Sequence, residues 1–134
     1  MSKVLSEYFS QPVRKIFNDP YLFGLINTLI KQTKLYNNRQ TSSYTLTLDD
    51  VGKLVEMNSG SANNLTIPAE ATVNFPINCQ INLSQYGAGQ TTIVATSGVT
   101  IRSYNGLTKL AGQYAGATLI KIGSDEWYLF GNLA

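Results

Sequence analysis

From Tyr44 onward the chain alternates apolar and polar residues with a period of two, which is the signature of half-buried strands. The segments are "YTLTL", "GKLVEM", "NNLTI", "CQINLSQY", "QTTIVAT", "GVTIRS", "ATLIKI" and "EWYLFG". In "CQINLSQY", Ile81, Leu83 and Gln85 fall on one face and Gln80, Asn82 and Ser84 on the other. Asn, Ser, Gly or Pro separates each segment from the next. The connectors Gly87-Ala88-Gly89, Ser97-Gly98, Asn105-Gly106 and Gly123-Ser124-Asp125 have hairpin and tight-turn chemistry, because Gly and Asn tolerate positive φ. Roughly eight short strands at regular spacing predict a small β-sandwich or barrel-like domain over residues 41–134, within which Gln85–Gly106 reads as a β-meander.

The first forty residues follow a helical period instead. "SKVLSEYFSQP" offers Ser2 as an N-cap, an apolar face of Val4, Leu5, Tyr8 and Phe9, and Pro12 as a stop. "NDPYLFGLINTLIKQTKLYNN" has Asp19 as a cap and Pro20 at the first helical position. Leu22, Leu25, Ile26, Leu29 and Tyr36 lie near one stripe, with Phe23 and Ile30 flanking it. Lys31 and Lys34 fall in the last turns, where the helix dipole favours cations. Gly24 interrupts the run, as a tolerated defect or at a close helix contact. Residues 1–40 therefore read as an α-helical arm, joined to the β-domain by the linker "YNNRQTSS".

Charge supports that division. Residues 1–40 carry Lys3, Arg14, Lys15, Lys31, Lys34 and Arg39 against Glu7 and Asp19, a net +4, while residues 41–134 are net −2. Charged residues make up only 13% of the chain, about half the usual share, so the β-domain presents neutral Thr, Ser and Asn faces. Docking such faces desolvates few ions. The arm's cations are spread out, with no basic block or aromatic ladder, which makes nucleic acid a poor partner. "YLFGLINTLI" is short of the ~20 apolar residues that span a bilayer, so no membrane partner is expected.

Candidate chemistry is sparse. The chain has no histidine, the commonest general base and metal ligand. Cys79 is solitary and reads as a small buried apolar residue rather than a ligand. Asp49-Asp50 and Asp125-Glu126 lie at turns and read as solvated; Asp49-Asp50 lacks the further oxygen ligands of a calcium loop. "GAG" at 87–89 has no phosphate-loop lysine or following helix. No catalytic, cofactor or metal residues are assigned, and an enzyme is not expected. The aromatics stay open to two readings. Trp127, Tyr128 and Phe130 alternate within the last strand, and Tyr86, Tyr104 and Tyr114 stand near Gly-rich corners. They serve either as strand packing or, for the three corner tyrosines, as exposed contacts for a partner or a glycan.

The pieces "LTIP", "FPINCQI", "QYGAGQTTI", "GVTI" and "ATLIKIGSDEWYLFGNL", taken together over about residues 44–134, resemble a small domain of tailed-bacteriophage virion proteins. That family includes tail-fibre segments and small proteins attached to heads, and the resemblance implies a homotrimer without catalytic residues. It also implies a virion location, with other capsid or tail proteins as partners. The arm lies outside the resemblance. Its stripe, Leu22, Leu25, Ile26, Leu29 and Ile30, is the candidate anchor. An anchor carrying a neutral trimeric knob suggests a head decoration or cement protein. The alternative is a tail-fibre or adaptor component, with a variant of that reading that binds host-surface glycans.

Overall fold

The computed structural model describes residues 19–32 and 34–134, with the backbone alone for residues 29–32. The helix expected over "SKVLSEYFSQP" lies outside the described residues. The chain divides into two compact units, the second of which spans Tyr36–Ala134.

In the first unit, helix α1 runs Pro20–Gln32. Asp19 caps it: its Oδ1 accepts the Tyr21 N–H at 2.9 Å and the Leu22 N–H at 3.3 Å, satisfying two orphan donors of the first turn. Pro20 has no N–H to leave unpaired there. The helix stops earlier than its apolar stripe suggested. Lys34 lies beyond its end and Tyr36 belongs to the second unit. A Cβ at Gly24 would meet nothing within 4 Å, so no close contact requires a glycine among the described residues.

The second unit is mainly β, with nine strands among the described residues: β1 Asn37–Gln40, β2 Tyr44–Thr45, β3 Leu54–Met57, β4 Asn63–Ile67, β5 Gln80–Gln85, β6 Thr91–Ala95, β7 Thr100–Ser103, β8 Gly116–Gly123 and β9 Glu126–Gly131. They form two sheets, of order β1-β3-β5-β8-β9-β7 and β2-β4-β6. Asn37–Gln40, read from the sequence as linker, is a strand paired with β3.

β3 to β9 fall where the alternation put them and β2 covers only the start of "YTLTL", but Gln85–Gly106 is not a meander, since β6 lies in a different sheet from β5 and β7. Up to β7, consecutive strands go to opposite sheets, and β1-β3-β5 and β2-β4-β6 are each parallel. The chain thus winds through three stacked coils, each giving one strand to each sheet. The second and third coils are offset by 28 residues in both sheets, Leu54 opposite Asn82 and Leu65 opposite Ile93. Among the described residues only β8–β9 is a hairpin of the expected kind, its turn carrying Asp125 at φ 49°.

The stacked corners explain two glycines. Gly87 and Gly89 turn the third coil directly over Ser59 and Ser61 of the second, and a Cβ on either would overlap the serine backbone. Neither glycine is left-handed; they are needed for close approach, not for positive φ. A buried polar ladder fastens the same corner. Thr91 Oγ1 donates to Asn63 Oδ1 at 2.8 Å, the Thr91 N–H to Gln85 Oε1 at 3.1 Å, and Gln85 Nε2 to the Gly87 carbonyl at 3.1 Å.

Between the sheets lie Leu46, Val55, Met57, Leu65, Ile67, Phe75, Ile81, Leu83, Ile93, Leu110, Leu119, Trp127 and Leu129, all buried. Phe75 meets Trp127 edge-on at 5.3 Å. Full burial of each such side chain contributes roughly 1.5–3 kcal/mol.

Candidate interaction surfaces

Because side chains alternate along a strand, the residues that fill the core commit their neighbours to the outer face. On β9, Trp127 and Leu129 point inward, so Tyr128 and Phe130 point out, 42% and 52% exposed. Their rings lie 5.2 Å apart. Register sets Ile120 of β8 and Arg102 of β7 on either side of Tyr128. Arg102 Nε donates to Glu126 Oε1 at 2.8 Å, so the local charges are paired. Thr118, opposite Phe130, donates to Asn82 at 3.0 Å and carries the face into neutral polar ground. β7 ends the six-stranded sheet, and beside it Arg102, Ser103, Tyr104, Leu107, Phe130 and Leu133 help to line a cleft of about 320 Å³. Ser103 Oγ is buried there without a hydrogen-bond partner.

A second aromatic cluster stands where the third coil meets the turn before β8. The Arg39 guanidinium lies 4.5 Å over the centre of the Tyr86 ring, and its Nε donates to Glu56 Oε1. Tyr114 approaches Tyr86 edge-on, with ring centres 5.9 Å apart. Tyr114 is left-handed, φ 68°, in a turn closed by the Ala115 N–H to the Gly112 carbonyl at 3.0 Å. Glycine is the usual residue in that conformation, and a tyrosine there costs on the order of 1–2 kcal/mol. The residue is nonetheless 73% exposed.

The three tyrosines singled out from the sequence are all exposed, but they divide between these places. Tyr86 and Tyr114 come together, while Tyr104 lines the cleft beside β7. Of the proposed anchor stripe, Leu22, Leu25 and Ile26 are between 38% and 45% exposed on α1. Leu29 and Ile30 continue the same helix, but their side chains lie outside the described residues.

The acidic turns differ from their solvated reading. Asp50 is buried: its carboxylate accepts Asn38 Nδ2 at 2.8 Å, the Thr47 N–H at 2.8 Å and the Tyr44 hydroxyl at 3.0 Å, tying the first coil together. Asp125 Oδ1 accepts the Glu70 N–H at 2.6 Å. Lys121, on the inner face of β8 and only 2% exposed, donates to the Phe75 carbonyl at 2.6 Å and to Glu70 Oε2 at 3.1 Å. That bond, with donors from Ser124 and the Asp125 backbone, holds the Glu70 carboxyl below its ordinary range. Among the described residues no three of His, Cys, Asp or Glu converge as metal ligands.

Cys79 is buried in the core, and burial pushes its thiol up from the ordinary value, Lys121 opposing this more weakly. Because the thiolate is the reactive form, the native protein should resist a disulfide reagent at pH 8 for hours and react within minutes in denaturant. Rapid stoichiometric labelling of the native chain would show that this part of the core opens.

Comparison with protein-family models, curated proteins and solved structures finds no match. No described helix is long and apolar enough to cross a membrane.

Proposed function

We propose that the chain is a structural protein of a tailed-bacteriophage virion, a head decoration or cement protein that associates as a homotrimer and attaches through its N-terminal arm. The observation that supports this most is the outer face of β9. Tyr128 and Phe130 expose large apolar rings on a sheet whose inner face already fills the core, beside a cleft whose lining includes Tyr104, Leu107 and Leu133. Contiguous apolar surface of this kind marks an interaction site. With Arg102 already paired to Glu126, a second copy docking there desolvates little unpaired charge. The virion setting comes from the sequence resemblance over residues 44–134. Three copies closed by rotational symmetry present three arms, so individually modest contacts combine into firm attachment.

The arm's contact is apolar in this reading, made by the stripe that Leu22, Leu25 and Ile26 expose. Surface ion pairs contribute less than about 1 kcal/mol each and are screened by salt. Ile26→Asp should therefore abolish co-sedimentation with the parent particle at any ionic strength, and Lys31→Ala should change it little. Retention of the Ile26→Asp protein, with release of the wild type in ~0.5 M salt, would replace the apolar anchor by an electrostatic one. The second reading, a tail-fibre or adaptor component, is favoured by one feature: the exposed Tyr114 in its left-handed turn.

A further inference from the structure

We infer that Tyr114 and Tyr86, flanked by Arg39 and Glu56, form a binding site for a neutral saccharide, with a hexopyranose ring laid by its C–H face on Tyr114. This deepens the tail-fibre or adaptor reading and rests on it for its setting, while the trimer at β9 is tested separately by its mass.

Tyr114 is an unusual residue for its backbone conformation. Its φ of 68° is one that glycine adopts without cost, and its ring is largely in water, so the fold gains little from a tyrosine there. Backbone strain at a mostly exposed side chain points to use of that side chain. The ring is also held in place. Tyr86 abuts it edge-on, the Tyr114 N–H is bound by the Gln85 carbonyl at 2.6 Å, and Gln113 Nε2 is bound by the Tyr86 carbonyl at 3.1 Å. A platform already ordered loses little entropy when a ligand arrives.

The surrounding charges select the ligand. Arg39 stacks over Tyr86, so that face is closed to a cationic ligand. Glu56 is bound to Arg39 through Nε, so the guanidinium draws an anion weakly. What is left is an uncharged aromatic plate beside a fixed guanidinium–carboxylate pair. A pyranose fits this arrangement, with its apolar C–H face on the ring and its hydroxyls on the remaining N–H donors of the half-exposed Arg39, which the buried Glu56 carboxylate holds in place. The cluster is a ridge and not an enclosed pocket, so affinity for one sugar is weak, with Kd on the order of 1 mM.

The test is saturation-transfer NMR of the full chain with glucose, galactose, mannose, N-acetylglucosamine, lactose and cellobiose, each on the order of 10 mM. At least one sugar should receive saturation on the C–H protons of a single ring face. Tyr114→Phe should retain the signal and Tyr104→Ala should leave it unchanged. Tyr114→Gly is the decisive variant: it should lose the signal at least about tenfold while melting at or above the wild-type temperature, because it removes the strained residue. No saturation of any of the six sugars would overturn the inference. So would binding that survives Tyr114→Gly, or a Tyr114→Gly protein that melts well below wild type, which would make the tyrosine a structural residue.

Discussion

Gly89→Ala is expected to destabilise the β-unit by roughly 3 kcal/mol or more, a fall in melting temperature on the order of 15 °C for a domain of about 100 residues. A methyl group there would overlap the backbone of Ser61, and the neighbour is main chain rather than a flexible side-chain end. Relief requires parting two coils whose backbones touch, and the Asn63–Thr91–Gln85 ladder lies between those coils. Gly60, in the preceding corner, is the control: a Cβ at that position meets nothing within 4 Å. Gly60→Ala should stay within about 0.5 kcal/mol of wild type. Thermal melts of the two variants, run side by side, check the stacking. Equal effects would mean that the corners are not stacked as described.

The second large effect is expected at Lys121. Lys121→Ala removes the partner of Glu70, strips a donor from the Phe75 carbonyl and leaves a cavity under β8. Truncating so long a side chain at 2% exposure costs about 2–5 kcal/mol through the cavity, while Glu70, about a third exposed, is left to water. Lys121→Met keeps the volume of the stem and should cost less. The same pair gives a pH dependence. Lys121, Ser124 and the Asp125 N–H hold the folded Glu70 carboxyl below its ordinary value near 4.5. A depressed folded value contributes stability above the unfolded value, and that stability is lost as pH falls through the folded one. Denaturant midpoints should therefore be flat from neutral pH to about 5 and fall below 4.5, with a shallower fall in Glu70→Gln. An unchanged acid slope in Glu70→Gln would assign the loss to other carboxylates.

The strands were legible because period two is a local property. In "ATLIKI" the period groups Lys121 with Ala117 and Leu119, but Ile120 and Ile122 make the other face apolar too, so neither the burial of Lys121 nor its partner fifty-one residues away was legible. What the sequence did not carry plainly was connectivity. A corner rich in Gly and Ser reads alike whether the chain folds back as a hairpin or steps across to a second sheet, since both need a sharp change of direction. The distinguishing signal was the 28-residue offset that sets "LVEMNSGSANNLTI" against "NLSQYGAGQTTIVA". The match is one of position, Val55 with Leu83 and Leu65 with Ile93, rather than of residue identity. Asp50 was misread because its burial depends on Asn38, a residue of a strand taken for linker. The pairing of Tyr86 with Tyr114 rests on a turn that only tertiary structure brings beside the third coil.

The claim that the outer face of β9 is a self-association surface is tested most directly by sedimentation equilibrium of the full chain. The account requires a mass three times 14.7 kDa for the wild type, and a fall to 14.7 kDa in Phe130→Asp with its melting temperature retained. A wild-type mass of 14.7 kDa at every concentration, or a trimer indifferent to Phe130→Asp, would contradict it.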